Sequence, residues 1–174
     1  MTTAPFLVTE RLELWLPTAD DLAPMFEIVS HPQTNRYLGP APTMVDHFMR
    51  FARNAGSWQL YGYGILMLRR RGGDDSLLGN CGIFHSFRGL GADFDDQPEA
   101  GWILSVEAGG HGYAEEAMRA IYAWFDGAHG RCRTVCMIDP ANAPSIRLAD
   151  KLGFEPLRNT EYGGEPIRLF ERRP

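Results

Sequence analysis

The chain has 174 residues, 44% of them hydrophobic, which suits a single domain over residues 1–174 with a sizeable core and calls for no second one. A net charge of -5 and a pI near 5.5 remove any electrostatic ground for expecting a nucleic-acid surface. Three cysteines, Cys81, Cys132 and Cys136, cannot all pair, and neither they nor the five scattered histidines have metal-ligand spacing, so no zinc site is expected.

Leu7 to Leu16 alternates as a single strand, with Leu12, Leu14 and Leu16 on one side. Thr18 or Asp20 can cap a helix running to about Val29, and Met44 to Ala55 has the pattern of a second helix after the turn-rich SHPQTNRYLGPAP. YGYGILMLRRR and SLLGNCGIF flank Gly72-Gly73-Asp74-Asp75, which predicts an antiparallel pair with Arg69-Arg70-Arg71 at its solvated end. GLGADFDDQPE is a polar loop whose acids are expected to be solvated. Glu99 to Val106 predicts the next strand, and Tyr113 to about Asp126 a helix burying Ala117, Ile121, Trp124 and Phe125 on one face. Arg133 to Ile138 is a further strand, and NAPSIRLADKLG a short helix stopped by Gly153. EPLRN and IRLFERR close the chain as two strands around Glu161-Tyr162-Gly163-Gly164. Met1 to Leu7 is too short for a secretory h-region before Glu10 and Arg11, and no apolar run is long enough to span a bilayer. With unpaired cysteines, a reducing cytoplasm is the expected location.

Between the fourth predicted strand and its helix stands Gly109-Gly110-His111-Gly112, three glycines in four residues. Glycine permits positive φ and close approach of the backbone to a bulky group. The first amides of a helix point outward unpaired and carry partial positive charge. Together these features make an anion site for which phosphate is the usual guest, while the plain alternative is a bend that glycine merely eases. A dinucleotide fingerprint fits badly. Its third glycine position is Glu115, and Asp139, the candidate ribose acid, lies 27 residues beyond Gly112 rather than the usual ~20. A Walker loop is excluded because no Lys-Ser or Lys-Thr pair follows the glycines.

GWILSVEAGGHGYAEEAMRAI followed by VCMIDPANAPSIRLADKLGF resembles the core of the GNAT superfamily of acyl-CoA N-acyltransferases. The style is closest to the branch containing ribosomal-protein N-terminal alanine and serine acetyltransferases. The first stretch resembles that family's pyrophosphate loop, Gln/Arg-x-x-Gly-x-Gly/Ala, ending on Gly112-Tyr113-Ala114. The second is similar to its Asn-x-x-Ser-x-x-Leu-x-x-Lys-Leu-Gly-Phe signature through Asn142, Ser145, Leu148, Lys151, Leu152, Gly153 and Phe154. TERLELWLP is similar to the branch's first strand, so the resemblance covers nearly the whole chain. It implies an α/β fold, a mixed and mostly antiparallel sheet of about seven strands with helices on both faces. It also implies acetyl-CoA as cosubstrate, held by Gly110, His111, Gly112, Tyr113, Ala114 and Glu115, with Asn142 and the backbone of Trp102, Ile103 and Leu104 pairing with the pantetheine arm. The family's Gln/Arg position is Gly109 here, so a side chain that often supports the phosphates is missing.

Acyl transfer to an amine needs a proton sink, an oxyanion donor and a proton source for the departing thiolate. An alkylammonium is mostly protonated at neutral pH and becomes a nucleophile only when a base, directly or through water, removes its proton. The resemblance places that base at Glu99, whose alternative is a solvated acid at the entry to a strand. The position where some relatives have another glutamate is Met137, and the tyrosine often found just after the motif leucine is replaced by Ala149. Ser145 is then the candidate proton source, its alternative being helix capping beside Asn142. Tyr37, Phe48, Trp58, Tyr61, Phe87 and Tyr162 are the aromatics available to wall an acceptor pocket between the first two helices and the last hairpin. Glu161, Glu165 and the acids from Asp93 to Asp96 could attract a cation there or simply be solvated.

The expected function is a coenzyme A-dependent N-acetyltransferase that uses no metal and acetylates a primary amine, with a protein or peptide N-terminus as the leading acceptor. A catalytically silent acyl-CoA sensor is the alternative from another class, and an acyltransferase for a small amine or aminoglycoside the alternative enzyme. Partners expected are the amine acceptor and, as an assembly open to test, a homodimer, with neither nucleic acid nor membrane.

Overall fold

The alternation over Leu7–Leu16 is interrupted by a turn. β1 (Leu7–Val8) and β2 (Leu12–Trp15) fold back on one another as an antiparallel pair, Leu7 opposite Leu14 and Val8 opposite Glu13. Thr9 closes that turn: its amide donates to the Leu12 carbonyl at 2.9 Å and its hydroxyl accepts from the Leu12 amide at 3.0 Å. Such a local side-chain lock leaves the hydrophobic period intact on both sides. The sheet therefore has eight strands, one more than the period alone predicts.

The computed structural model describes residues 4–174; residues 1–3, which open the Met1–Leu7 run, lie outside the described residues. The remaining strands are β3 (Ile65–Arg70), β4 (Leu77–Ser86), β5 (Gln97–Leu104), β6 (Thr134–Ile138), β7 (Glu155–Tyr162) and β8 (Glu165–Arg172). They lie in the order β1-β2-β3-β4-β5-β6-β8-β7, with every neighbouring pair antiparallel except β5 and β6. A parallel pair needs a long crossover, and α4 (Tyr113–His129) supplies it.

Both faces of the sheet are covered, and β3 shows how the sequence encodes this. Its continuous Ile65-Leu66-Met67-Leu68 run sends Leu66 and Leu68 into the main core with Ala117, Ile121 and Phe125 of α4. Ile65 and Met67 point the other way, into a second cluster with Phe84 and with Phe51 of α3 (Met44–Tyr61). α1 (Leu22–Ser30) and the short α2 (Pro32–Asn35) precede α3, and α5 (Ala143–Lys151) follows β6.

α3 begins at a capping box between Thr43 and Asp46 and runs past the expected end at Ala55 to stop at Gly62, whose φ of 76° fits only glycine comfortably. Its last turns are tied to the sheet by Ser57 Oγ donating to the Tyr63 carbonyl and Trp58 Nε1 to the Ile65 carbonyl, both at 2.8 Å. Those long-range bonds outweigh the local weakness at Gly56.

The acids of the loop before β5 are structural, against the expectation that they are merely solvated. Asp93 pairs with Arg158 at 2.7 Å, Asp95 accepts from the amides of Arg88 and Gly91, and Asp96 lies 3.1 Å from His85. Phe94 between them is 1% exposed and anchors the loop in a small cluster with Val135 and Leu169. Arg69, too, is more than a solvated hairpin end, because it meets the buried Asp21 at 2.6 Å. No helix among the described residues is long and apolar enough to cross a membrane.

Candidate active site

β5 and β6 are hydrogen-bonded neighbours at one register position only, Glu99 opposite Val135. Beyond it the two parallel strands part, while β4 stays paired with β5 from Gln97 to Leu104. One backbone edge of β5 is left without a strand partner, and peptide groups in that state demand some other one. A cleft of about 590 Å³ opens at this parting. Its floor includes Ala100 to Ile103 of β5 and Cys136 to Ile138 of β6; its walls come from α3, the Arg36–Pro40 segment and the tip of the β7–β8 hairpin.

At the far end of β5 the glycine loop leads into α4. Gly110 and Gly112 adopt φ of 78° and 76°, and a side chain at Gly110 would meet nothing within 4 Å, so backbone conformation rather than crowding requires glycine there. Gly112 occupies the N-cap without any side-chain cap, and the first helical bond runs from the Glu116 amide to its carbonyl at 3.1 Å. The amides of Tyr113, Ala114 and Glu115 precede that bond, at the positive end of a helix of 17 residues.

The neighbouring acids are drawn off the helix end. Glu115 pairs with Lys151 at 2.7 Å and Arg119 at 2.9 Å, and Lys151, then Arg119, hold its carboxyl below the usual range. Glu116 is taken up by Arg11 and by the Thr9 hydroxyl, both at 2.6 Å. Arg11 also donates to the His111 carbonyl at 3.0 Å, which pins the loop to the first hairpin. The His111 ring is exposed and stacks beside Tyr113, with ring centres 5.6 Å apart.

Glu99, at the point where the strands part, is 3% exposed, so it is no solvated strand-entry acid. Arg88 donates to it twice, from Nε to Oε2 and from Nη2 to Oε1, each at 2.7 Å, and the Ser86 hydroxyl donates to Oε2 as well. Burial alone would weaken the Arg88 cation, but the adjacent Glu99 carboxylate outweighs it and holds the guanidinium above its ordinary range. Cys136 also lines the cleft; it is 1% exposed, and burial pushes its thiol well up, so it remains protonated and inert as a nucleophile.

Asn142, Ser145 and Trp102 meet at the opposite wall. The Asn142 carboxamide caps α5 by accepting from the Ser145 amide at 3.2 Å, which leaves capping to Asn142. The Trp102 indole donates to Ser145 Oγ at 3.2 Å. With its oxygen already accepting, the serine keeps its own proton free to donate. Ala149, where a phenol could have stood, is 0% exposed and belongs to the main core.

Of the expected site residues, Glu99, Trp102, Ile103, Asn142 and Ser145 line the cleft together. Leu104 and the segment from Gly110 to Glu115 lie past it, toward the end of β5. Tyr37 and Tyr162 line the cleft, whereas Trp58 packs between Phe6 and Trp124, Tyr61 stacks on His85, and Phe48 and Phe87 face solvent. Glu165 lines it and Glu161 does not. Sequence alone did not single out Arg36, Arg50, Arg53 and Arg88, four guanidiniums on the cleft wall. No group of three or more metal-binding side chains gathers among the described residues.

The profile of the Acetyltransferase (GNAT) domain family matches residues 11–155 of the chain. The protein YkkB of Bacillus subtilis (strain 168) is 27% identical over 174 residues, covering 96% of this chain and 95% of its own. The structure of a GNAT-family acetyltransferase from Bordetella pertussis superposes with a TM-score of 0.84 at 31% identity, over 95% of this chain and 98% of that one. RimL, a ribosomal L7/L12 alpha-N-protein acetyltransferase solved with coenzyme A, shares the fold at 13% identity with a TM-score of 0.74, over 96% of each chain. Parted parallel strands beside a glycine-led helix end are thus accompanied by a family match across most of the sequence, and the chain belongs to the GNAT acetyltransferases.

Proposed function

We propose that the protein is an N-acetyltransferase that moves the acetyl group of acetyl-CoA to a primary amine by direct attack. The observation that carries this is the unpaired edge of β5 running from Glu99 toward an uncapped helix N-terminus. In this reading the amides from Gly110 to Glu115 hold the pyrophosphate, and the backbone of Trp102, Ile103 and Leu104 pairs with the pantetheine amides in place of β6. The side chain of Asn142 has its NH₂ group available for the same arm. RimL, of the same fold, binds coenzyme A.

Glu99 serves as the proton sink for the incoming ammonium, directly or through water. Arg88 and Ser86 occupy three of its lone pairs and one on Oε1 stays open, so a proton can enter there, at the expense of the attraction to Arg88, which ties deprotonation of the amine to that cluster. Ser145 donates its hydroxyl proton to the departing sulfur. The buried Cys136 thiol provides no covalent detour, which favours direct transfer. The Arg88–Glu99 pair also supports a second reading, a coenzyme A-binding module without turnover, because a carboxylate so engaged by a cation is ill placed for proton transfer.

Thiol release from acetyl-CoA across a panel of primary amines tests the proposal. Amine-dependent release supports the enzyme. Saturable binding of coenzyme A with no release for any amine would leave the sensor.

A further inference from the structure

The acceptor side of the cleft carries positive charge that the protein itself leaves unmatched. Arg50 and Arg53 lie one turn apart on the same face of α3, and among the described residues neither forms an ion pair with a carboxylate. Asn54 Oδ1, which accepts from Arg53 at 3.2 Å, is a neutral partner. Arg88 and Arg53 approach the same Phe84 ring, their guanidinium carbons 6.0 and 5.8 Å from its centre. Arg88 also reaches the last hairpin, with its guanidinium carbon 5.4 Å from the centre of the Tyr162 ring and Nη1 3.4 Å from the hydroxyl.

Elements distant in sequence thus bring three guanidiniums and a phenol to one wall. Arg50 and Arg53 remain exposed at the cleft mouth, where the nearby walls and then the Arg88 charge weaken their hold on a proton, partly offset by Asp46 and Tyr162 at Arg50 and by Glu99 and Tyr162 at Arg53. Glu99 neutralises Arg88, but Arg50 and Arg53 have no carboxylate paired to them among the described residues, and an anion between them would supply one. Of the acids nearby, three are engaged, and Glu165, cross-strand from Tyr162, pairs with none of these guanidiniums among the described residues. Glu99 is held by Arg88, Asp46 caps α3 through Thr43, Asp139 accepts from the Ala141 amide, and Glu165 stands on the hairpin tip. The acidic loop from Asp93 to Asp96 is not part of the cleft wall.

This wall is separate from the proposed pyrophosphate site. Arg88 pairs with Glu99 at the start of β5, and the glycine loop follows Leu104, five residues on; at ~3.3 Å per residue the two lie on the order of 16 Å apart. Resting on the acetyltransferase proposal, we infer that the acceptor is a small primary amine carrying its own carboxylate or phosphate, which Arg50 and Arg53 grip beside Arg88 while its amine faces the acetyl group. Bidentate guanidinium contacts suit either anion. A polycationic acceptor such as an aminoglycoside would be repelled.

The test measures thiol release from acetyl-CoA with matched acceptor pairs: common α-amino acids against their carboxamides, and aminoalkyl phosphates against the corresponding aminoalcohols. Which arm responds distinguishes carboxylate from phosphate. We expect at least a tenfold higher kcat/KM for the anionic member of one pair, and Arg50→Gln and Arg53→Gln to remove most of that preference through KM while sparing the neutral member. Thermal stabilisation of the coenzyme A-saturated protein by the same compounds gives a second readout independent of turnover, and it should be lost in the double variant. Equal use of neutral and anionic members, or variants that shift both alike, would overturn the inference while leaving the acetyltransferase standing. So would preference for a peptide N-terminus beginning with Asp or Glu over every small acid. No release with any amine, together with no anion-specific stabilisation, would overturn both.

Discussion

Arg88 and Glu99 face each other across the β4–β5 turn and are joined by two parallel hydrogen bonds of 2.7 Å inside the cleft. Glu99→Gln removes the negative member and leaves a buried guanidinium unpaired. If Glu99 is the proton sink, turnover should fall roughly a hundredfold or more with coenzyme A affinity nearly unchanged, and raising the pH should restore part of the rate by deprotonating the amine without help. If Glu99 only holds Arg88, high pH will restore nothing, and Arg88→Gln will lose as much rate as Glu99→Gln. Pre-steady-state rates of both variants across pH 6 to 9 discriminate the two.

Ser145 is expected to act on the sulfur rather than on the helix, since Asn142 already caps α5. Ser145→Ala should slow the chemical step at least tenfold with little change in cofactor binding or melting temperature, a loss confined to the transition state. Asn142→Ala should instead lower stability by about 1 kcal/mol. Introducing a phenol at Ala149 will not rescue Ser145→Ala, because that side chain is fully buried and a tyrosine would overpack the core by about 1–3 kcal/mol or more. Single-turnover acetyl transfer and thermal melts of the three variants check this.

Gly112→Asp should reduce coenzyme A affinity at least tenfold by setting a negative charge at the open amides of α4, with a backbone cost of about 1 kcal/mol from the positive φ. Gly112→Asn carries similar backbone strain without the charge and should retain more affinity. Isothermal titration of both variants is the measurement, and equal binding by wild type and Gly112→Asp would remove the pyrophosphate from this loop.

His47 is 4% exposed, its Nε2 3.1 Å from the Leu22 carbonyl, and burial is the main reason its imidazole is held below the ordinary value of 6.5. Below pH 6.5 the unfolded chain therefore binds this proton more readily than the folded one. Stability is complete above that pH and falls as the pH drops from it toward the folded value. The melting temperature should start to decline there, well before the carboxylates Glu115 and Glu171 lose their contribution below 4.5. His47→Gln should flatten the upper step while leaving the lower one, as melts between pH 7.5 and 4 would show.

The sequence by itself determined most of the order of elements and the two motifs that mark the family. Each is a local property: a period of burial, a stop at Gly153, a positive φ at Gly110 and Gly112 that glycine alone meets cheaply. Tertiary structure alone decided what those elements present to a ligand. Arg50 and Arg53 look like the solvated face of a helix until α3 is laid over β3 and β4, because charge spacing is the same whether the face meets water or a cleft. Asp93, Asp95 and Asp96 look solvated until Arg158, the Arg88 amide and His85 arrive from elsewhere. Trp102 and Ser145 are 43 positions apart and meet only because β5 and β6 separate after Glu99. Hydrophobic period reports that a residue is buried, and not which partner folding sets across from it, so the partners of Glu99 and Ser145 and the charge of the cleft wall emerge only when the sheet is assembled.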